Sequence, residues 1–195
     1  MKTLLFITTL CLSVLTNAQE KEFRISTSKS YVEWEGSKTF EMGKHSGTVN
    51  IKSGAMKLKE FKIVGGEFII DMNTIENTDG RYNAMLVDHL KNDDFFSVAK
   101  FPEAKLSITQ VYYKDNVNVE VFADLTIKGI TNPIKFKGKL DFRKDGIKLH
   151  TEFSIDRTLW GVDYKSKGLF GAVKDGIISD AIKFKVAIIW FQDMC

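Results

Sequence analysis

The chain has 195 residues, with 28 Lys and Arg against 25 Asp and Glu, a formal charge of +3, and 44% hydrophobic residues. That length fits one ordinary domain with a core of its own. The basic residues alternate with apolar ones instead of clustering, which speaks against a nucleic-acid binder.

Residues 1–18, MKTLLFITTLCLSVLTNA, read as a secretory signal. Lys2 opens it, the apolar run from Leu4 to Leu15 is too short to span a bilayer, and small residues precede Gln19. Leu10 before Cys11 argues against a lipoprotein anchor. Loss of this segment leaves Cys195 as the one thiol, so no intrachain disulfide is expected and the fold must rest on its core. The expected location is the bacterial periplasm or the exterior, with no stable membrane anchor, and the domain is expected over residues 19–195.

The remainder is dominated by alternation of apolar and polar residues, the period of a strand with one dry and one wet face. Short runs of this kind cover Tyr31–Gly36, Thr48–Ile51, Ala55–Leu58, Phe61–Val64 and Glu67–Met72, with Ser53-Gly54 as a turn signal and Gly65-Gly66 as a bulge or sharp bend. Between the first two runs lies MGKHSGTV, in which His45 stands between Gly43 and Gly47. Both glycines read as bend residues, permissive of positive φ. His45 is expected to bond a neighbouring loop or to meet a ligand's head group.

From Asp79 to Lys91 the period changes. Tyr82, Met85, Leu86, His89 and Leu90 fall at helical spacing, predicting a short helix over about residues 80–91 with Asp79 as its N-cap. Asn92-Asp93-Asp94 ends it, and Phe95-Phe96 follow. Strand alternation then resumes over Lys105–Tyr113 and over Val117–Ile127. In the latter, Phe122 is the one large apolar residue on the wet side. Gly129–Pro133 reads as a link, because proline cannot donate to a ladder. Ile134, Phe136, Gly138, Leu140 and Phe142 share the next dry face. Lys144-Asp145-Gly146 is a hairpin turn signal. Two further alternating runs, Ile147–Ile155 and Ile182–Trp190, complete the chain.

About ten one-sided strands and one helix predict an all-β fold, a closed antiparallel β-barrel with the helix near one end. Closure removes the edges and hides the apolar face. A two-sheet sandwich is the alternative. A barrel of this size either fills its interior with side chains or keeps room for one ligand. Small inward residues such as Ala123 and Gly138 between large ones leave space for an apolar chain, and each buried methylene contributes about 0.8 kcal/mol. A filled core without ligand is the rival reading.

Four blocks carry a resemblance. They are Asp88–Phe96 with Lys100-Phe101-Pro102-Glu103-Ala104, Leu125–Ile134 (LTIKGITNPI), Ile155–Val162 (IDRTLWGV), and Gly66–Met72 with Ile75. Taken in chain order they resemble the YceI-like family, although Leu106 stands where members often carry Phe. The resemblance implies an extended lipocalin-like barrel holding a long-chain amphiphile, such as a polyisoprenoid, an isoprenoid quinone or a fatty-acid derivative, with no catalytic activity and no cofactor. Together with the alternation it makes Trp34, Phe68, Ile70, Met72, Val119, Val121, Phe136, Leu140, Leu149, Phe153, Phe184 and Val186 the inward ligand-binding candidates. Leu86, Leu90, Phe95 and Phe96 are candidates for a lid over the ligand tail or a plug sealing the barrel.

Arg157 falls on the inward parity if its strand continues that far. It is expected either to pack on a tryptophan or pair with an acid, or to meet a polar head group at the mouth. No metal site is expected, since His45, His89 and His150 match no ligand spacing and His150 alternates onto the wet face. No Gly-x-Ser-x-Gly elbow is present, and Ser46 beside His45 is not a dyad, because adjacent strand residues face opposite sides. The expected partner is a long-chain lipid, not nucleic acid. The Lys-rich exterior favours a monomer.

Overall fold

The computed structural model describes residues 19–38, 43–80, 82–144, 146–168 and 176–191. The signal segment with Cys11, Met42, Asp145 of the hairpin signal and Cys195 lie outside these residues. Nine strands run in the order β1 (Lys21–Arg24), β2 (Tyr31–Ser37), β3 (Lys44–Lys59), β4 (Lys62–Asn77), β5 (Glu103–Tyr113), β6 (Asn118–Ile127), β7 (Ile130–Arg143), β8 (Gly146–Asp156) and β9 (Ala181–Trp190). Helix α1 (Asn83–Lys91) lies between β4 and β5, and a 3-10 turn (Arg157–Trp160) follows β8. Every strand pairing is antiparallel.

Strands β2 to β9 close on themselves as an eight-stranded barrel, because β3 pairs with both β2 and β4. Strand β1 shares the wall with β2: it pairs with the second half of β3, Lys21 against Leu58 to Arg24 against Ala55, while β2 pairs with the first half. The sandwich is thereby excluded. Alternation accounts for the wall. On β6, Val119, Val121, Ala123, Leu125 and Ile127 are all buried. Phe122, the apolar exception outside, packs edge-on against Tyr112 with ring centroids 5.5 Å apart, and the Lys135 ammonium lies 5.0 Å above it.

Several local expectations fail for identifiable reasons. Ser53-Gly54 is not a turn. Thr48–Ile51 and Ala55–Leu58 belong to one sixteen-residue strand, β3, which bends through register shifts between Thr48 and Asn50 and between Ile51 and Ser53. Such bulges add the local twist that barrel closure requires. Phe61–Val64 and Glu67–Met72 likewise merge into β4, with a register shift where Lys57 faces Gly65 and Leu58 faces Ile63. Phe61 itself is not in a strand. With Glu60 it forms the turn between β3 and β4, both residues at positive φ. Pro133 is not in a link but inside β7, opposite Asp124. Strand β7 meets β8 only from Gly138 onward, so residue 133 has no ladder on that side to break. The reversal before it is made by Lys128 and Gly129, both at positive φ. Phe142 has the inward parity but lies at the end of the wall and is exposed.

Gly43 and Gly47 do not have positive φ. Gly47 serves close approach instead: a Cβ there would sit 1.7 Å from the Glu76 carbonyl oxygen and 2.6 Å from Cζ2 of Trp34. Asp79 does not cap α1. The N-cap position is Tyr82, in a left-handed conformation with no side-chain cap bond. Asp79 is occupied elsewhere: its Oδ2 lies 2.8 Å from Nδ1 of His45 and accepts the Ser46 N–H at 3.3 Å.

The two ends of the barrel differ. At the end carrying the β3–β4, β5–β6 and β7–β8 turns, Met56, Leu58, Ile63, Val119, Val121, Leu140 and Trp190 are packed with almost no exposure. At the other end, α1, the segment 92–102, the 3-10 turn and residues 161–168 and 176–180 lie over a cavity.

Candidate functional site

The cavity measures about 410 Å3, within the range of small-molecule sites, roughly 300–1,000 Å3. One wall is aromatic. Trp34 on β2 pairs directly with Phe184 on β9, Phe184 pairs with Phe153 on β8, and Phe153 stacks on Phe136 of β7 at 4.8 Å. Phe153 and Phe184 lie 5.5 Å apart. The four rings thus stand side by side on four adjacent strands, as cross-strand neighbours on one face must. The facing wall is mostly aliphatic, built by Ile70 of β4 with Ala104, Leu106 and Ile108 of β5, and Phe68 of β4 adds one ring to it.

Of the candidates, Trp34, Phe68, Ile70, Met72, Phe136, Leu149, Phe153, Phe184 and Val186 line the cavity, as do Leu86, Leu90, Phe95, Phe96 and Arg157. Val119, Val121 and Leu140 do not. They lie in the packed end, because the first half of β6 and the second half of β7 point into the barrel where side chains from the facing strands already fill it. Further lining residues share the inward parity and went unselected: Val32, Val49, Ile51, Ile75, Leu125, Ile127, Ile182 and Ile188. Alternation marks them as inward but does not mark the level at which the interior opens.

The cap over the cavity is built around Arg157. Strand β8 ends at Asp156, whose carboxylate accepts the Thr158 N–H at 3.0 Å and starts the 3-10 turn. Arg157 is nonetheless buried, at 1% exposure. Its Nε donates to the Ser179 carbonyl at 3.1 Å, its Nη2 to the Ile178 carbonyl at 3.2 Å and to Asp180 at 3.4 Å, and its Nη1 to the Val162 carbonyl. The guanidinium also lies over the Phe95 ring, 5.8 Å from its centroid. Burial lowers its pKa, and the carboxylates of Asp180, Asp163 and Asp156 act in the opposite sense. With five N–H groups to give, the guanidinium makes four donations, to Val162, Ile178, Ser179 and Asp180. Arg157 therefore acts first as the clamp that ties Val162 and residues 178–180 together at this end of the barrel, with an acid among its partners.

Phe95 is at the centre of the same cap. His89 meets it edge-on at 5.0 Å and Tyr164 lies 5.6 Å away, while His89 and Tyr164 meet at 4.7 Å. Phe95 is thus a plug that also bounds the cavity, and Leu86 and Leu90 of α1 cover it from the side. None of α1 is fully buried. The three histidines are not gathered. His45 and His89 border the cavity, whereas His150 lies outside the barrel in a groove with Lys137, Lys139 and Lys185. Desolvation and the nearby cations lower the His150 pKa.

The cavity reaches the surface beside the β2–β3 hairpin. Here the lining turns polar, with Ser37, Lys38, His45, Tyr164, Lys165 and Ser179. Apart from His45, none of these carries a periodic or motif signal, since they sit at strand ends and in the irregular stretches 161–168 and 176–180.

This fold has counterparts. The model of the YceI-like domain matches residues 23–189, and the chain belongs to that family. A relative described as a UPF0312 protein, from Shewanella denitrificans, is 33% identical over 91 residues, a stretch that covers 47% of this chain and 47% of the relative. Two solved structures share the architecture at a TM-score of 0.65 each. BcnA of Burkholderia cenocepacia is 15% identical, covering 85% of this chain and 98% of that one. A polyisoprenoid binding domain from Saccharophagus degradans, implicated in plant cell wall breakdown, is 13% identical, covering 87% and 97%.

Proposed function

We propose that this protein binds a long-chain apolar or amphipathic lipid inside the barrel and carries or sequesters it in the cell envelope, without catalysing a reaction on it. The observation that carries the reading is the cavity of about 410 Å3, walled by aromatic and aliphatic side chains and packed shut at one end. A void of this kind is costly when empty, because its lining forfeits dispersion contacts and gains nothing from water. An apolar chain supplies those contacts and adds roughly 0.8 kcal/mol per buried methylene. Away from the mouth, Thr151 is the one polar side chain among the described lining residues, and its hydroxyl already donates to the Lys137 carbonyl. The family membership and the likeness to a polyisoprenoid binding domain support a lipid as the occupant. The secretory signal read in residues 1–18 supports an envelope location, where a water-insoluble chain needs a carrier.

Mass spectrometry of an organic extract from gently purified protein tests the proposal, together with titration of fluorescent fatty-acid and quinone probes. A co-purified lipid, or saturable probe binding that the extract competes away, is the expected result. Protein that carries no lipid and binds neither probe would sink the reading.

A further inference from the structure

Resting on the lipid-binding reading, we infer that the mouth of the cavity is a head-group site for an anionic amphiphile, an acyl or alkyl chain ending in a carboxylate or phosphate. The first observation is one of charge. Among the described residues that line the cavity there is no Asp or Glu, whereas Lys38, His45, His89, Arg157 and Lys165 all do. A mouth lined by one sign of charge, above low-dielectric walls, focuses its field on the ligand's end.

The second observation is which of these cations are already committed. Arg157 spends its donors on carbonyls and on Asp180. His89 lies 3.4 Å from Asp94 and packs between Phe95 and Tyr164. Lys165 has no carboxylate partner among the described residues. Its ammonium lies 5.5 Å from the Tyr164 ring centroid and 3.8 Å from where a Cβ on Gly176 would be. Its backbone is at φ +47, a conformation a non-glycine residue adopts at a cost. His45 gives Nδ1 to Asp79 at 2.8 Å, which fixes the ring. The Nε2 atom has no partner among the described residues and is the ring atom left for a ligand. It donates to an anion when the ring is charged.

The third observation is that these groups are built together. Lys38 bridges Ile178, whose N–H donates to the Lys165 carbonyl at 3.0 Å. The Ser179 N–H donates to the Ser37 carbonyl at 2.8 Å, and Gly36 pairs with His45. Lys165 and Lys38 therefore stand on backbone segments on either side of Ile178, two ladder spacings of about 4.8 Å apart, and His45 lies on the strand hydrogen-bonded to that of Lys38. Arg157 pins that rim through Ile178 and Ser179. The arrangement places cations at the end of an apolar slot, the complement of an acyl chain with a charged terminus.

The test is a displacement titration of delipidated protein with palmitate, hexadecyl phosphate, hexadecanol and hexadecanamide, which share one tail. The two anions are expected to bind about tenfold tighter than the two neutral compounds, since each exposed pairing contributes modestly, and the gap should shrink as salt rises. The order of palmitate and hexadecyl phosphate tells which anion the mouth prefers. Replacing Lys38→Gln with Lys165→Gln, in protein whose melting temperature shows it folded, should narrow the gap to less than about twofold. Lys137→Gln on the outer wall should leave the gap intact. Equal binding of all four compounds overturns the head-group site and leaves the lipid-binding reading standing. A gap that survives the double substitution also overturns the site. No saturable binding of any of the four overturns the lipid-binding reading itself.

Discussion

Two tryptophans show how much a single polar atom decides. Trp160 and Trp190 are both 1% exposed. The Trp160 indole N–H donates to the Leu125 carbonyl at 2.9 Å, whereas the buried Trp190 N–H has no acceptor among the described residues. Replacing either by Phe removes similar apolar volume, but Trp160→Phe also gives up a buried hydrogen bond to the Leu125 carbonyl. Trp160→Phe is therefore expected to cost about 1 kcal/mol more than Trp190→Phe, read as the difference in denaturant midpoints. Arg157→Met should cost about 3–5 kcal/mol, because it strips three carbonyls and a carboxylate of their donor in a buried place. Tyr113 supplies a pH test. Its phenol oxygen accepts the Ile63 N–H at 2.7 Å, and burial raises its pKa. The raised value means that the folded state holds its proton more tightly than the unfolded chain. Its contribution is fully present below the unfolded tyrosine range of about 10 and is lost as pH climbs through the folded value. Unfolding titrations at about pH 8 and about pH 11 should show a larger alkaline loss in the parent than in Tyr113→Phe.

At the level of elements, the turns carry more local strain than the strands they join. Glu60 at φ +50 and Phe61 at φ +64 form a two-residue hairpin between the paired Lys59 and Lys62. Both positions suit Asn and Gly far better. Phe61 is 81% exposed, so its ring contributes no burial that its loss would forfeit. Glu60→Asn with Phe61→Gly is expected to stabilise the protein by about 1 kcal/mol, seen as a rise in melting temperature with lipid content unchanged. The same elements show why alternation located strands but not their ends. Ser53-Gly54 has the composition of a turn, yet in β3 it faces Phe68 across a bulge: a Cβ on Gly54 would lie 2.6 Å from that ring. Whether a glycine bends the chain or admits a neighbour depends on the neighbour. Likewise Asp79 has the identity of an N-cap, but His45, 34 residues away, claims its carboxylate.

For the whole molecule, the barrel is half core and half container, and substitutions should report which half they strike. Val121, at 0% exposure in the packed end, has no room to grow. Val121→Trp should lose about 1–3 kcal/mol by overpacking. Ile70 lines the cavity, so Ile70→Trp has free volume to enter and should keep the stability of the lipid-free protein while losing bound lipid. Chemical denaturation of both variants, with lipid quantified by mass spectrometry, separates the two halves. If Ile70→Trp proves as destabilising as Val121→Trp and retains its lipid, the container description is wrong.

The residues alone determined the one-sided strands of β6, β7, β8 and β9, their order, the single helix and the closure that hides so much apolar surface, because the period of two is local and each strand must bury its apolar face. The blocks around Phe95-Phe96, Leu125–Ile134 and Ile155–Val162 marked the family as well. What only the tertiary structure decided is where the interior is filled and where it is open. Val121 and Ile70 have the same parity and similar size, and they differ only in what reaches them from strands far away in sequence. The rim was hidden for the same reason: Lys38 and His45 share the β2–β3 pair, but Lys165 comes from a distant segment and joins them only through the backbone bonds of Ile178 and Ser179, which Arg157 holds in place.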